Sequence, residues 1–190
     1  MFDQDQSYTV DINIENLFQP DVLEAAAETE DEIGCVLRIH LLVEQLLNFY
    51  IDQKRVAEIK PFIKEPREFN QKLALATAFG MPTQFAAVAH QINNIRNKSA
   101  HRMSATLGDG DVQQLARLVN KMIEIQPEFN QVEKTTIQIS RVRPDEVFVY
   151  DDSGNRIKFL ISSLCFWRVA LGWLLKDAAF RKLKADKQRV

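Results

Sequence analysis

The sequence predicts an all-α protein: an up-down helical bundle with a small β-hairpin insertion before the C-terminal helix. Three observations lead there. Apolar residues recur at spacings of three and four through long runs such as "EIGCVLRIHLLVEQLLNFY". The breaks between those runs fall at Pro and Gly. Only residues at about 135–160 turn rich in β-branched and aromatic side chains, the composition of strands. With 190 residues and a 46% hydrophobic share, the chain is sized for one domain with a real core. The expected organisation is a polar N-terminal arm over 1–17 and a single helical domain over 18–190.

The elements follow in order. Pro20 suits the first turn of a helix, and Thr29 with Glu32 reads as a capping box that restarts a second one. In that second helix Val36, His40, Val43, Leu47 and Tyr50 keep helical spacing, with further apolar residues beside them. Such a helix belongs at the centre of the fold. After a loop bounded by Pro61 and Pro66, "EFNQKLALATAFG" makes a helix that Gly80 ends as its C′ residue. Pro82 opens the next, "TQFAAVAHQINNIRNKSAH", and Asp111 is the expected N-cap of "VQQLARLVNKMIEIQ". "TTIQISRV" and "VFVYDDSGNRIKFL", around a "DDSGN" turn, give the hairpin. A last helix runs from Ser162 to about Lys184.

Charge and cysteines narrow the function classes. The formal net charge is −2, yet residues 1–32 hold ten acidic groups and no Lys or Arg, while 176–190 hold six basic groups against two acidic. That distribution fits solvated ends and leaves room for a local basic site, but bulk charge does not announce a nucleic-acid binder. Cys35 and Cys165 are far apart in apolar contexts, which predicts reduced, core-facing thiols in a cytoplasmic protein. The acidic start lacks the apolar core of a signal peptide. "FLISSLCFWRVALGWLL" is short for a membrane span and is broken by Arg168, so a buried amphipathic helix and no membrane partner are expected.

The residues that carry chemistry cluster in "RNKSAHR", Arg96 to Arg102. On a helix His90, Asn94, Asn97 and His101 fall in one narrow polar stripe, which reads either as a hydrogen-bonded seam or as a site. Metal is not expected. His90 and His101 stand about 16 Å apart along a helix axis, and His40 has only Glu44 nearby. No nucleotide-binding glycine motif or cofactor signature is present. A helix-turn-helix reading of "FGMPT" fails because the following helix opens "QFAAVAHQ" without a basic group.

"RNKSAH" resembles the Arg-Asn-x-x-x-His signature of the HEPN superfamily, and "LLVEQLLN" and "FNQKLALATAFGM" are similar to its surroundings. The resemblance implies a helical bundle acting as a metal-independent endoribonuclease, toxin- or defence-like, with a cognate antitoxin as a partner. It implies a homodimer in whose cleft the Arg and His of both subunits meet. Carried over, Arg96 would hold and stabilise the phosphate, and His101 would act as base or acid. Asn97 would orient the imidazole or bond a phosphate oxygen, while Lys98 and Arg102 would attract the RNA backbone. Glu44, inside an apolar helix, needs a partner, either Arg96, which it would then orient, or any nearby Lys or amide; His90 and Asn94 complete the supporting stripe. On an ideal helix Arg96 lies about 140° from His101, which favours a site completed by a second subunit. Met103 stands where one branch of the family has Tyr, so a function that needs that Tyr is not expected. The length and the helix order around "KLALATAFGM", with the ending "KDAAFRKLK", also resemble the mannitol-operon repressor family. That likeness implies a non-catalytic regulator acting by protein contact.

Overall fold

The computed structural model describes residues 19–100, 106–139 and 141–187. Six α-helices and one two-stranded antiparallel hairpin occur among them: α1 Pro20–Glu28, α2 Glu32–Lys54, α3 Phe69–Ala78, α4 Thr83–Ala100, α5 Asp109–Asn120, β1 Thr136–Ile139, β2 Arg143–Val149 and α6 Asn155–Lys187. The polar arm at 1–17 lies outside the described residues, as do His101 and Arg102.

Helix α2 is the hub that its apolar composition predicts. It packs against α1, α3, α4 and α6, and α5 closes over α4 and α6. Cys35, Val36, Ile39, Leu42, Val43, Leu46, Leu47, Tyr50 and Ile51 are all buried along it. Removing that much apolar area from water is the main force holding the layers together. At its C-terminal half Tyr50 and Phe85 both pack on Trp173, with ring centroids 5.4 Å apart in each pair. Both cysteines are free and buried, as their contexts predict. Burial pushes the Cys35 thiol up to about 11, against the opposing pull of Arg156 and Arg38.

Several boundaries differ from expectation. The cap of α2 is Asp31, whose carboxylate accepts from the Ile33 and Gly34 amides at 3.0 and 2.9 Å; Thr29 only accepts from the Asp31 amide. A carboxylate one residue before the helix answers both its orphan amides and its dipole, and so outcompetes the hydroxyl. Likewise Asp111 sits within the first turn of α5, which Gly108 starts. The hairpin is tighter than "DDSGN" suggests: β1 and β2 connect through 140–142, with Thr136 opposite Val149. The Asp-Ser-Gly stretch instead leads into α6, which begins at Asn155 rather than Ser162. Gly80 does end α3, at φ +96°. The Met81 amide reaches the Ala76 carbonyl at 3.1 Å and the Gly80 amide reaches Thr77 at 3.0 Å, a complete left-handed cap.

Two helices, Glu32–Lys54 and Asn155–Lys184, have the length and hydropathy of a membrane span, and half or more of each apolar window is buried inside the fold. That burial is what core helices require.

Candidate functional site

The site is built where α2, α3 and α4 meet. Along α4, Phe85, Ala89 and Ile92 form a buried apolar stripe, and Arg96 is the next residue on it, four beyond Ile92. A guanidinium thus ends a core-facing row. Arg96 is half-buried and its Nε is sealed from water without an acceptor. Its Nη1 donates to the amide oxygen of its own neighbour Asn97 at 3.1 Å. Among the described residues no carboxylate lies within ion-pair distance of it. A cation so placed retains donor capacity and a desolvation cost that only an anion or further acceptors would offset.

Facing it on α2 is His40, only 7% exposed. Its Nε2 lies 3.1 Å from Asn93 Oδ1, and Asn93 Nδ2 donates to Asn70 Oδ1 at 3.1 Å. With the Asn93 amide nitrogen committed to Asn70, its oxygen is left to accept. The His40 proton therefore belongs on Nε2. The ring packs on Phe69 at 4.5 Å. Burial holds the His40 pKa below its ordinary value; the bond to Asn93 and the Glu44 charge oppose that, and the Arg96 and Lys72 cations reinforce it.

Of the two expected partners of Glu44, a nearby lysine is the one found, and the pairing with Arg96 does not form. Its Oε1 accepts from Lys72 Nζ at 2.7 Å, and Lys72 is itself only 8% exposed. The lysine comes from α3, which packs directly on α2, so its ammonium reaches the carboxylate first.

The polar stripe also falls differently. His90 is exposed, and Asn94 is half-buried, whereas it is Asn93 that is buried at 5% exposure. Asn93, Arg96 and Asn97 share the face turned to α2 and α3. Lys98 is exposed and donates to Asp111 Oδ1 at 2.6 Å, across a small cleft that Ile95, Ser99 and Leu107 also line. Beyond that cleft the Leu107 amide is held by Glu32 Oε2 at 2.7 Å and its carbonyl by Asn155 at 2.7 Å. His101 and Arg102, the other motif positions, lie outside the described residues.

Sequence reasoning missed Asn70, Lys72, Asn93 and the role of His40. The missed signal was spacing: Phe85, Ala89, Ile92 and Arg96 stand at i, i+4, i+7 and i+11, which puts the guanidinium on the buried side and Asn93 beside it. Among the described residues no three His, Cys, Asp or Glu side chains converge as metal ligands do. Chemically, the arrangement offers one under-satisfied guanidinium beside a neutral imidazole and a paired ammonium. That is a setting for an oxyanion rather than for a metal. In comparisons with protein-family models, with curated proteins and with solved structures, nothing matches this chain.

Proposed function

We propose that this chain is a metal-independent endoribonuclease of HEPN type, toxin- or defence-like, that cleaves RNA through Arg96 and His101. The observation that carries the reading is the Arg96 guanidinium: core-facing, with its Nε buried and, among the described residues, neither an acceptor on it nor a carboxylate beside it. Arg96 binds the scissile phosphate and stabilises the charge that develops on it. His101 takes the 2′-hydroxyl proton or delivers one to the leaving 5′-oxygen, leaving a 2′,3′-cyclic phosphate. Asn97, already bonded to Arg96, fixes the guanidinium, and Lys98 and Arg102 draw in the backbone. The bundle has up-down topology, and a second subunit completes the cleft, because one helix does not converge Arg96 and His101 on one phosphate.

A second reading is a regulator resembling the mannitol-operon repressor family. The closure of the His40–Asn93–Asn70 chain and of the Lys72–Glu44 pair favours it, since buried and paired polar groups suit a structural seam. The test is cleavage of transfer, ribosomal and messenger RNA in EDTA by wild type, Arg96→Ala and His101→Ala, with end-group analysis. Activity in wild type that falls at least about a hundredfold in each variant, with helix content unchanged, supports the nuclease. No cleavage by wild type at any concentration sinks it and leaves the regulator.

A further inference from the structure

His40 is the buried titratable group at this junction to which the proposed chemistry gives no task. It sits one helix away from the cation that the reaction depends on. Every polar contact it makes leads back to α4: its Nε2 proton goes to Asn93, and Asn93 lies three residues before Arg96 on the same face. Asn70 of α3 holds the far side of Asn93, and Phe69 of the same helix covers the ring. The charged groups around the imidazole are Glu44 on its own helix, Lys72 on α3 and Arg96 on α4. Glu44, the one anion among them, is already committed to Lys72 at 2.7 Å.

We infer that His40 is a positioning residue for Arg96 and the acid-sensitive element of the site. Neutral, it fixes Asn93 and with it the α2–α4 register beneath the guanidinium. Protonated, it adds a third cation against the single carboxylate of Glu44 and displaces Arg96. This rests on reading Arg96 as the phosphate-binding group. The charge arithmetic gives the direction. Around His40, Lys72 and Arg96 against Glu44 leave a balance of one positive charge, and a proton on His40 raises that to two. Among the described residues Arg96 has no carboxylate to hold it, whereas Lys72 has Glu44, so the guanidinium is the group that yields. RNA affinity at this site then falls with acid, opposite to the rise expected when ordinary surface histidines gain charge.

The full-length protein, labelled with nitrogen-15, tests this by NMR between pH 8 and pH 5. The signals followed are the His40 imidazole and the Arg96 Nε–H group. The expected result is a His40 midpoint below the ordinary value of about 6.5, with the Arg96 signal shifting at the His40 midpoint and staying still in His40→Gln. An Arg96 signal that ignores the His40 titration in wild type overturns the inference, even where His40→Gln fails to fold. Binding of a fluorescent single-stranded RNA is measured in parallel. Wild type should lose about tenfold in affinity through the His40 midpoint, the scale of one charged hydrogen bond, and His40→Gln should not. Affinity that stays flat there removes the gate and leaves the nuclease reading standing. No RNA binding at any pH removes the nuclease reading, while the NMR coupling still decides the role of His40.

Discussion

Glu44 and Lys72 meet at 2.7 Å with side chains 24% and 10% exposed, so the ammonium is largely desolvated while the carboxylate keeps part of its contact with water. Removing one member strands the other. Glu44→Gln keeps the shape and a hydrogen-bond acceptor but leaves a buried ammonium uncompensated, and should cost about 1–3 kcal/mol, below the full figure for a sealed pair because Glu44 is partly solvated. Urea unfolding at neutral pH measures it. The double change Glu44→Leu with Lys72→Met should recover most of the loss, since the apolar pair needs no desolvation. A double-variant loss equal to the sum of the Glu44→Leu and Lys72→Met single losses would mean that the pair is not coupled. His40 makes a pH prediction at the same scale. Its pKa in the fold is below the ordinary value of about 6.5, so the unfolded chain takes the proton first. The stability its neutral form contributes is present above about pH 6.5 and is lost as the pH falls below it. Between pH 8 and pH 5 wild type should therefore lose more unfolding free energy than His40→Gln, and parallel losses would refute the assignment.

At the scale of single elements, the end of α3 shows most directly how local chemistry fixes the site. Gly80 stands at φ +96°, where a side chain strains the backbone; a Cβ there would meet nothing closer than the Tyr50 hydroxyl at 3.9 Å, so any cost is conformational and not steric. Gly80→Ala should destabilise by about 1–2 kcal/mol and lower the thermal midpoint while leaving the α3–α4 turn in place. A neutral effect would mean that the turn relaxes to another conformation. This turn sets how α3 delivers Asn70 to α4 and Lys72 to α2, and it was legible in "FGMP" because Gly and Pro have so few backbone options. The helical class, the central α2, the buried cysteines and the strand-rich insertion were legible for the same reason, since periodicity and propensity act locally. The Asp31 cap, the early start of α6 and the partner of Glu44 were not. Each depends on competition between neighbours that sequence spacing does not rank: two capping candidates, two turns, or two cations for one carboxylate. His101 was legible only as a motif position.

Across the whole molecule, the acidic bias of the first 32 residues finds a structural use that charge counting did not suggest. Glu24 and Glu28 of α1 reach Arg141 at 3.5 and 3.7 Å, and Glu30 meets Arg143 at the start of β2 as well as Arg156 at 3.5 Å. Arg156, in the first turn of α6 and 8% exposed, also donates to the Ala27 carbonyl at 3.1 Å. The hairpin, whose Val142 and Val147 lie 51% and 62% exposed, is thus tied to the α1–α2 junction by charge, while Ile137, Ile139 and Phe148 pack on the core. The pairs are unequal. Arg141 is 76% exposed, so Arg141→Gln should cost under about 0.5 kcal/mol and nothing more in 1 M salt. Arg156 is sealed and bridges a carbonyl and a carboxylate, so Arg156→Met should free the hairpin without unfolding the helices. Hydrogen exchange reads the difference: amides of Thr136–Ile139 and Arg143–Val149 should exchange about tenfold faster in Arg156→Met, with α2 and α4 unchanged. If protection instead falls uniformly across α2, α4 and the hairpin, Arg156 supports the whole core and the hairpin is no separate unit. Unchanged hairpin protection would place its stability in the packing of Ile137 and Phe148 on the core rather than in the charged clasp.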